Sequence, residues 1–124
     1  VTERRLRLGS VAEDLVAARL TAAGWTLLER NARSRYGELD LVALDRRALV
    51  FVEVKAGRAG SDFGPERPAL AVDRRKQLRI RRLAAAWMAT RRDVRYAEIR
   101  FDVVGVSFGR AGRVLDIEHI EGAF

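Results

Sequence analysis

The chain has 124 residues, 48% hydrophobic and 33% charged, with no cysteine, two prolines and a formal net charge of +7. This length supports one core without staples, and the composition excludes a disordered or fibrous chain, a disulfide scaffold, a thiolate zinc site and a cysteine nucleophile. No apolar run approaches the roughly 20 residues of a membrane span, and no signal-peptide core follows the charged start from Val1 to Gly9. The expectation is one cytoplasmic domain over 1–124 with no membrane partner.

Ser10-Val11-Ala12-Glu13 reads as a capping box, with Ser10 capping a helix and Glu13 reaching back to the cap. Val11, Leu15, Ala18 and Ala22 then recur at helical spacing, and Gly24 is placed to end the helix. Trp25 to Arg30 reads as a short strand, and Asn31 to Arg35 as a polar turn. Gly37 to Leu44 alternates, with Glu38, Asp40, Val42 and Leu44 on one face and Leu39, Leu41 and Ala43 on the other. Leu49 to Lys55 places Leu49, Phe51, Glu53 and Lys55 together, opposite Val50, Val52 and Val54. The short link Asp45 to Ala48 predicts an antiparallel hairpin closed by Leu44 facing Leu49. This register sets Val42 against Phe51, Asp40 against Glu53 and Glu38 against Lys55, so that Glu38 would neutralise Lys55.

Ala56 to Ala69 holds Gly57, Gly60, Gly64, Pro65 and Pro68, too many breakers for helix or strand, and predicts a mobile loop over about 56–70. From about Val72 to Thr90 a second helix is expected, with Lys76, Ile80, Leu83 and Trp87 on a packed stripe. Tyr96 to Val106 and Val114 to Ile120 alternate as strands around the Gly109 to Gly112 turn. His119, the one histidine, has no partner visible in the sequence, and Asp102 is expected to pair with an arginine.

Charge is placed unevenly. Between Asp73 and Arg100 ten basic residues stand against three acids, while the rest of the chain is balanced at 14 each. A basic block on a neutral domain is the footprint expected for a phosphate backbone, with Arg75, Arg79 and Arg82 on the helix and Arg33 and Arg35 in the preceding turn as candidate contacts. Of the 24 basic residues 22 are arginine, and only Lys55 and Lys76 are lysine. An ammonium on a flexible stem differs chemically from a forked guanidinium, so these two positions ask for a specific role.

Asp40, Glu53 and Lys55 supply a chemical pattern. Two carboxylates side by side repel unless a cation sits between them, and Mg²⁺ or Mn²⁺ is a hard ion that takes one or two carboxylates while keeping water and phosphate oxygens. Lys55, on the same face as Glu53, would then stand near an attacking water or developing negative charge, which is phosphoryl-transfer geometry in outline.

Gly37-Glu38-Leu39-Asp40-Leu41-Val42 followed by Val50-Phe51-Val52-Glu53-Val54-Lys55 resembles the PD-(D/E)xK nuclease superfamily, and more narrowly the YraN-like (UPF0102) proteins, distant relatives of archaeal Holliday-junction resolvases. The resemblance extends to Gly9 with Ala12-Glu13, Asn31 to Arg35, Phe63-Gly64, Asp73 with Lys76-Gln77, Ala84 to Trp87 and Arg100-Phe101-Asp102. Leu39 stands where the superfamily's name has proline. The resemblance implies an α/β restriction-endonuclease-like core, a mixed sheet flanked by helices in α-β-β-β-α-β order. It also implies Asp40 and Glu53 as metal ligands aided by the Val54 carbonyl, Glu13 as a further site carboxylate, and Lys76 and Gln77 facing the same cleft. The expected activity is metal-dependent phosphodiester hydrolysis in DNA, branched or otherwise distorted, with a homodimer if the substrate is a symmetric junction. A nucleic-acid-binding protein that keeps the fold without catalysis is the alternative, and an adaptor whose basic helix meets an acidic protein is a third reading.

Overall fold

The computed structural model describes residues 2–58 and 67–124, the segment 2–7 by its backbone alone. Its elements are α1 (Thr2–Ala22), β1 (Thr26–Ser34), β2 (Gly37–Asp45), β3 (Ala48–Arg58), α2 (Arg74–Thr90), β4 (Glu98–Phe108) and β5 (Val114–Ile120), with 3₁₀ turns at Pro68–Ala71 and Arg110–Gly112. The strands form one sheet in the order β1-β2-β3-β4-β5. β3 and β4 run parallel and the other neighbours antiparallel, giving the mixed sheet expected of a restriction-endonuclease-like core. Among the described residues no helix is long and apolar enough to cross a membrane.

The sheet is buried on both faces, and each helix covers one. Ala12, Val16, Ala17 and Leu20 of α1 meet Leu41, Val50, Val52, Val104, Val106 and Phe108. Ile80, Leu83, Ala84 and Trp87 of α2 meet Leu39, Val42, Leu49, Phe51, Phe101 and Val103. The near-continuous apolar run Leu49 to Val52 follows from this double coverage, which is the rule for a strand with helices on both sides. Phe51 and Phe101, adjacent in the parallel register, stack with centroids 5.5 Å apart, and Trp87 meets Phe51 edge-on.

Several expectations need correction. α1 begins eight residues before Ser10, so Ser10 and Glu13 are mid-helix and form no capping box. The inward stripe of α1 is Ala12, Val16 and Leu20, displaced by one position from Val11, Ala18 and Ala22, which are exposed. Gly24 ends the helix as expected, in the left-handed region at φ 94°, with the Trp25 N–H donating back to Leu20 O. The expected turn from Asn31 to Arg35 is mostly strand, because Ala32, Arg33 and Ser34 pair with Leu39, Glu38 and Gly37. Pairing to a central strand overrides the polar composition.

The expected loop over 56–70 is shorter at both ends. β3 continues to Arg58, paired through to Phe108, and the 3₁₀ turn Pro68–Ala71 presses on the sheet; 59–66 lies outside the described residues. Glycine permits that approach, since a Cβ at Gly57 would sit 2.6 Å from Pro68 Cγ and one at Gly105 would sit 2.5 Å from the Ala69 nitrogen. α2 starts at Arg74, capped by Asp73, whose Oδ1 accepts the Lys76 N–H at 2.9 Å.

Candidate active site

The β2–β3 hairpin has the expected register at its closed end, with Leu44 opposite Leu49 and Val42 opposite Phe51, and regular pairing ends at Leu41 with Val52. Beyond that point Leu39 packs with Val42 on the α2 side while Leu41 packs on the α1 side. The alternation therefore breaks at Asp40, contrary to the uninterrupted pattern expected. On β1, Asn31 lies between the residues paired with Leu41 and Leu39 and takes φ 52°. The irregularity frees Asp40 from the ladder, and its Oδ2 accepts the Val54 N–H at 2.8 Å.

Asp40 is thereby held near Glu53, close enough that each carboxyl group shifts the titration of the other. Lys55 Nζ lies 3.6 Å from Glu53 Oε1, both side chains largely shielded. Burial pushes the Glu53 carboxyl up to about 8, with the Asp40 charge adding to it and Lys55 opposing. Burial also raises Asp40, against the pull of the Val54 N–H, Glu53 and Lys55. The mid-helix position of Glu13 turns it towards this cluster, and burial followed by the charges of Asp40 and Glu38 raises it to about 7.

Glu38 does not neutralise Lys55. Its Oε2 accepts from Arg33 Nε at 3.1 Å, while Lys55 pairs with Glu53. With its amide nitrogen turned to the carboxylates, Asn31 donates to Glu13 Oε1 at 2.8 Å and Glu38 Oε1 at 2.7 Å. Asn31 thus ties α1 to the hairpin beside Asp40. Sequence reasoning placed Asn31 in a turn, and its only signal was an asparagine, a residue that tolerates positive φ.

Lys76 and Gln77 stand at the start of α2, and both bend back onto the preceding segment: Lys76 Nζ lies 3.4 Å from Ala71 O, and Gln77 Nε2 lies 3.2 Å from Val72 O. Among the described residues no hydrogen bond or ion pair joins them to Asp40, Glu53 or Lys55. Arg75, Arg79 and Arg82, with Lys76, line an open depression of about 580 Å³ on the outer face of α2. Arg35 lies over the Tyr36 ring at the β1–β2 hairpin tip, its carbon Cζ 4.8 Å from the centroid.

A second cluster escaped the sequence reading. Asp102 is fully buried and takes the expected arginine, Arg100, through Nε at 2.8 Å and Nη2 at 3.0 Å. It also takes His119 Nε2 at 2.8 Å and the Gly122 N–H at 3.0 Å, which supplies the histidine with the partner that the sequence did not show.

The donor set at Asp40 and Glu53 fits a hard divalent cation. Two carboxylates forced together at raised pKa are relieved by a positive ion, and hard oxygen donors suit Mg²⁺ or Mn²⁺. Among the described residues no group of three or more His, Asp or Glu side chains is gathered to hold a metal ion.

A "UPF0102 protein" of Rhodococcus opacus (strain B4) is 48% identical over 120 residues, spanning 96% of this chain and 97% of its own. A similarly named protein of Rhodococcus jostii (strain RHA1) is 48% identical over 121 residues, spanning 96% of this chain and 97% of its own. Another, from Mycobacterium tuberculosis (strain ATCC 25177 / H37Ra), is 44% identical over 125 residues, covering 98% of this chain and 94% of its own. The profile described as "Uncharacterised protein family UPF0102" matches residues 12–106, which span Glu13, Asp40, Glu53 and Lys55, and the chain belongs to that family.

Proposed function

We propose that this protein is a metal-dependent nuclease that hydrolyses phosphodiester bonds in DNA, with branched or distorted DNA as its substrate class. The observation that carries the reading is the break in β2 at Asp40, which turns its carboxylate to the Val54 N–H, near Glu53 and Lys55. Such a pair of raised carboxylates is costly to a fold with no use for a cation. Asp40 and Glu53 would hold Mg²⁺ or Mn²⁺, with the Val54 carbonyl as a further oxygen donor. When bound, the ion supplies charge neutralisation at phosphate and a more acidic water.

The chain's own residues account for the remainder. The Val54 N–H fixes Asp40 Oδ2, so this carboxylate keeps its place when substrate arrives. Lys55, paired through a 3.6 Å contact with Glu53, can swing its ammonium to a phosphate oxygen and stabilise charge that grows there. Glu13, with a pKa of about 7, is matched to taking and returning a proton near neutrality. Arg75, Arg79 and Arg82, together with Lys76 and Gln77 at the helix start, would track the phosphate backbone, as would Arg33 and Arg35 at the hairpin tip. On a symmetric junction two cuts call for two copies related by a two-fold axis.

Labelled junction, flap, single-stranded and duplex DNA incubated with Mg²⁺, Mn²⁺ or EDTA, beside Asp40→Ala purified identically, tests this. The expected result is metal-dependent cleavage that falls by about a thousandfold or more in Asp40→Ala, with DNA affinity nearly unchanged. Salt-sensitive binding without cleavage across the panel would establish the non-catalytic reading instead. Cleavage by the variant equal to that of the wild type would remove Asp40 from the chemistry.

A further inference from the structure

From the geometry of the β1–β2 hairpin tip we infer that Tyr36 and Arg35 form a stacking platform for an unpaired nucleobase, which would make the protein select DNA with a single-stranded stretch next to the cleavage site. The inference rests on the nuclease reading and names the substrate feature that this site would recognise.

Tyr36 is a large aromatic side chain left 47% exposed, the most exposed aromatic among the described residues, with Tyr96 next at 39%. It is not a loose surface residue. Ser34 Oγ accepts the Tyr36 N–H at 3.1 Å, and Arg35 both covers the ring at 4.8 Å and donates from Nη2 to the Tyr36 hydroxyl. Gly37 follows at φ 136°, with the Leu83 side chain of α2 3.6 Å from where its Cβ would be. The tip therefore lies against α2 through Gly37 and Leu83.

Arg35 is the cation in contact with the ring, and further basic residues lie on the elements beside the tip. Arg79 lies one turn ahead of Leu83 on α2, Arg82 is its neighbour, and both line the basic depression. Arg33, two residues before Arg35, has 85% of its side chain exposed while its Nε donates to Glu38 Oε2. An aromatic ring set in a basic track is the arrangement that binds single strands, since phosphates follow the charges while any base can stack on the ring. A duplex keeps its bases inside and offers the ring nothing. Four residues of strand separate Tyr36 from Asp40, about 13 Å at ~3.3 Å each. Four stacked nucleotides at ~3.4 Å each cover the same span, so one strand could reach both.

The test is fluorescence anisotropy in EDTA with a labelled mixed-sequence single strand and a blunt duplex of equal length, for wild type, Tyr36→Ala and Tyr36→Trp. Tyr36→Ala should weaken single-strand binding about tenfold while duplex binding changes less than twofold, and Tyr36→Trp should keep the wild-type preference. Unchanged single-strand affinity in Tyr36→Ala, or equal weakening on both DNAs, overturns the stacking role and leaves the tip to a protein partner, with the nuclease reading intact. Wild-type protein that binds neither DNA overturns both readings together.

Discussion

Glu53 titrates in an unusual direction for its type, and this gives the metal-free protein a recognisable pH signature. Its carboxyl is raised from 4.5 to about 8 by burial and by Asp40, and Glu13 is raised from 4.5 to about 7. Between these values the folded state holds protons that the unfolded chain has released, so stability must fall as pH rises from about 5 to 8. A carboxylate held below its normal value does the reverse. In EDTA the unfolding midpoint should therefore drop over that window, by an amount on the order of 2 kcal/mol in stability. Glu53→Gln should flatten most of the slope, and added Mg²⁺ should offset it at pH 8 more than at pH 5. Thermal denaturation at several pH values checks both; a wild-type midpoint that rises steadily through the window would sink the idea. The residue pattern itself was legible in the sequence, since an Asp, a Glu and a Lys at these positions predict a carboxylate pair with a nearby ammonium. The break in alternation at Asp40 was not, because it arises with the positive φ of Asn31 and with an N–H on the next strand, 14 residues on. Nor was the fate of Glu38, since register alone could not show that Arg33 and Asn31 would claim it first.

Elements whose apolar positions repeat were predictable at their centres and less so at their ends. α2 appears close to its expected span, and its stripe of Ile80, Leu83 and Trp87 is buried as expected, because one face meets a sheet and the other meets solvent. The start of α1 was hidden because Thr2 to Leu8 carries four charged residues and no apolar period. The segment after Lys55 was misread because glycine reads as a breaker in sequence, whereas here Gly57 and Gly105 let the Pro68–Ala71 turn lie against β3 and β4. Gly105 pairs with Lys55 in the parallel register, so this contact borders the candidate site. Gly105→Ala would drive a methyl group to 2.5 Å from the Ala69 nitrogen, which is backbone and cannot rotate away. Overpacking of this kind typically costs about 1–3 kcal/mol. Gly9→Ala, in the interior of α1 with nothing within 4 Å of the new methyl, should instead stabilise by roughly 0.5–1 kcal/mol. Chemical denaturation of both variants gives the comparison, and equal midpoints would show that the turn is free to lift from the sheet.

At the scale of the molecule, Asp102 joins more of the chain than any residue of the candidate site. Arg100, its partner on β4, also reaches Asp45 at the end of β2 at 3.1 Å, His119 brings in β5, and the Gly122 N–H brings in the segment beyond it. Trp25 lies against this group from the end of α1, its ring 5.6 Å from His119 and 5.4 Å from the Arg100 guanidinium. Burial pushes Asp102 up, but the bonds from His119, Arg100 and Gly122 outweigh it, and the carboxyl is held below its normal 3.8. Its contribution to stability is thus complete above about pH 4 and is lost as the pH falls through the folded-state value. Asp102→Ala would leave a guanidinium, an imidazole and a backbone N–H facing an apolar gap, and removing one partner from a buried ion pair costs about 3–5 kcal/mol. For a domain of this size that loss lowers the thermal midpoint by roughly 10–25 °C. The network serves the sheet's assembly and shares no hydrogen bond with Asp40, Glu53 or Lys55 among the described residues. Below its new midpoint the variant should therefore cleave DNA at close to the wild-type rate. A folded Asp102→Ala protein without cleavage would instead place this carboxylate in the chemistry, and one with an unchanged midpoint would show that the four bonds to Asp102 do not hold the sheet together.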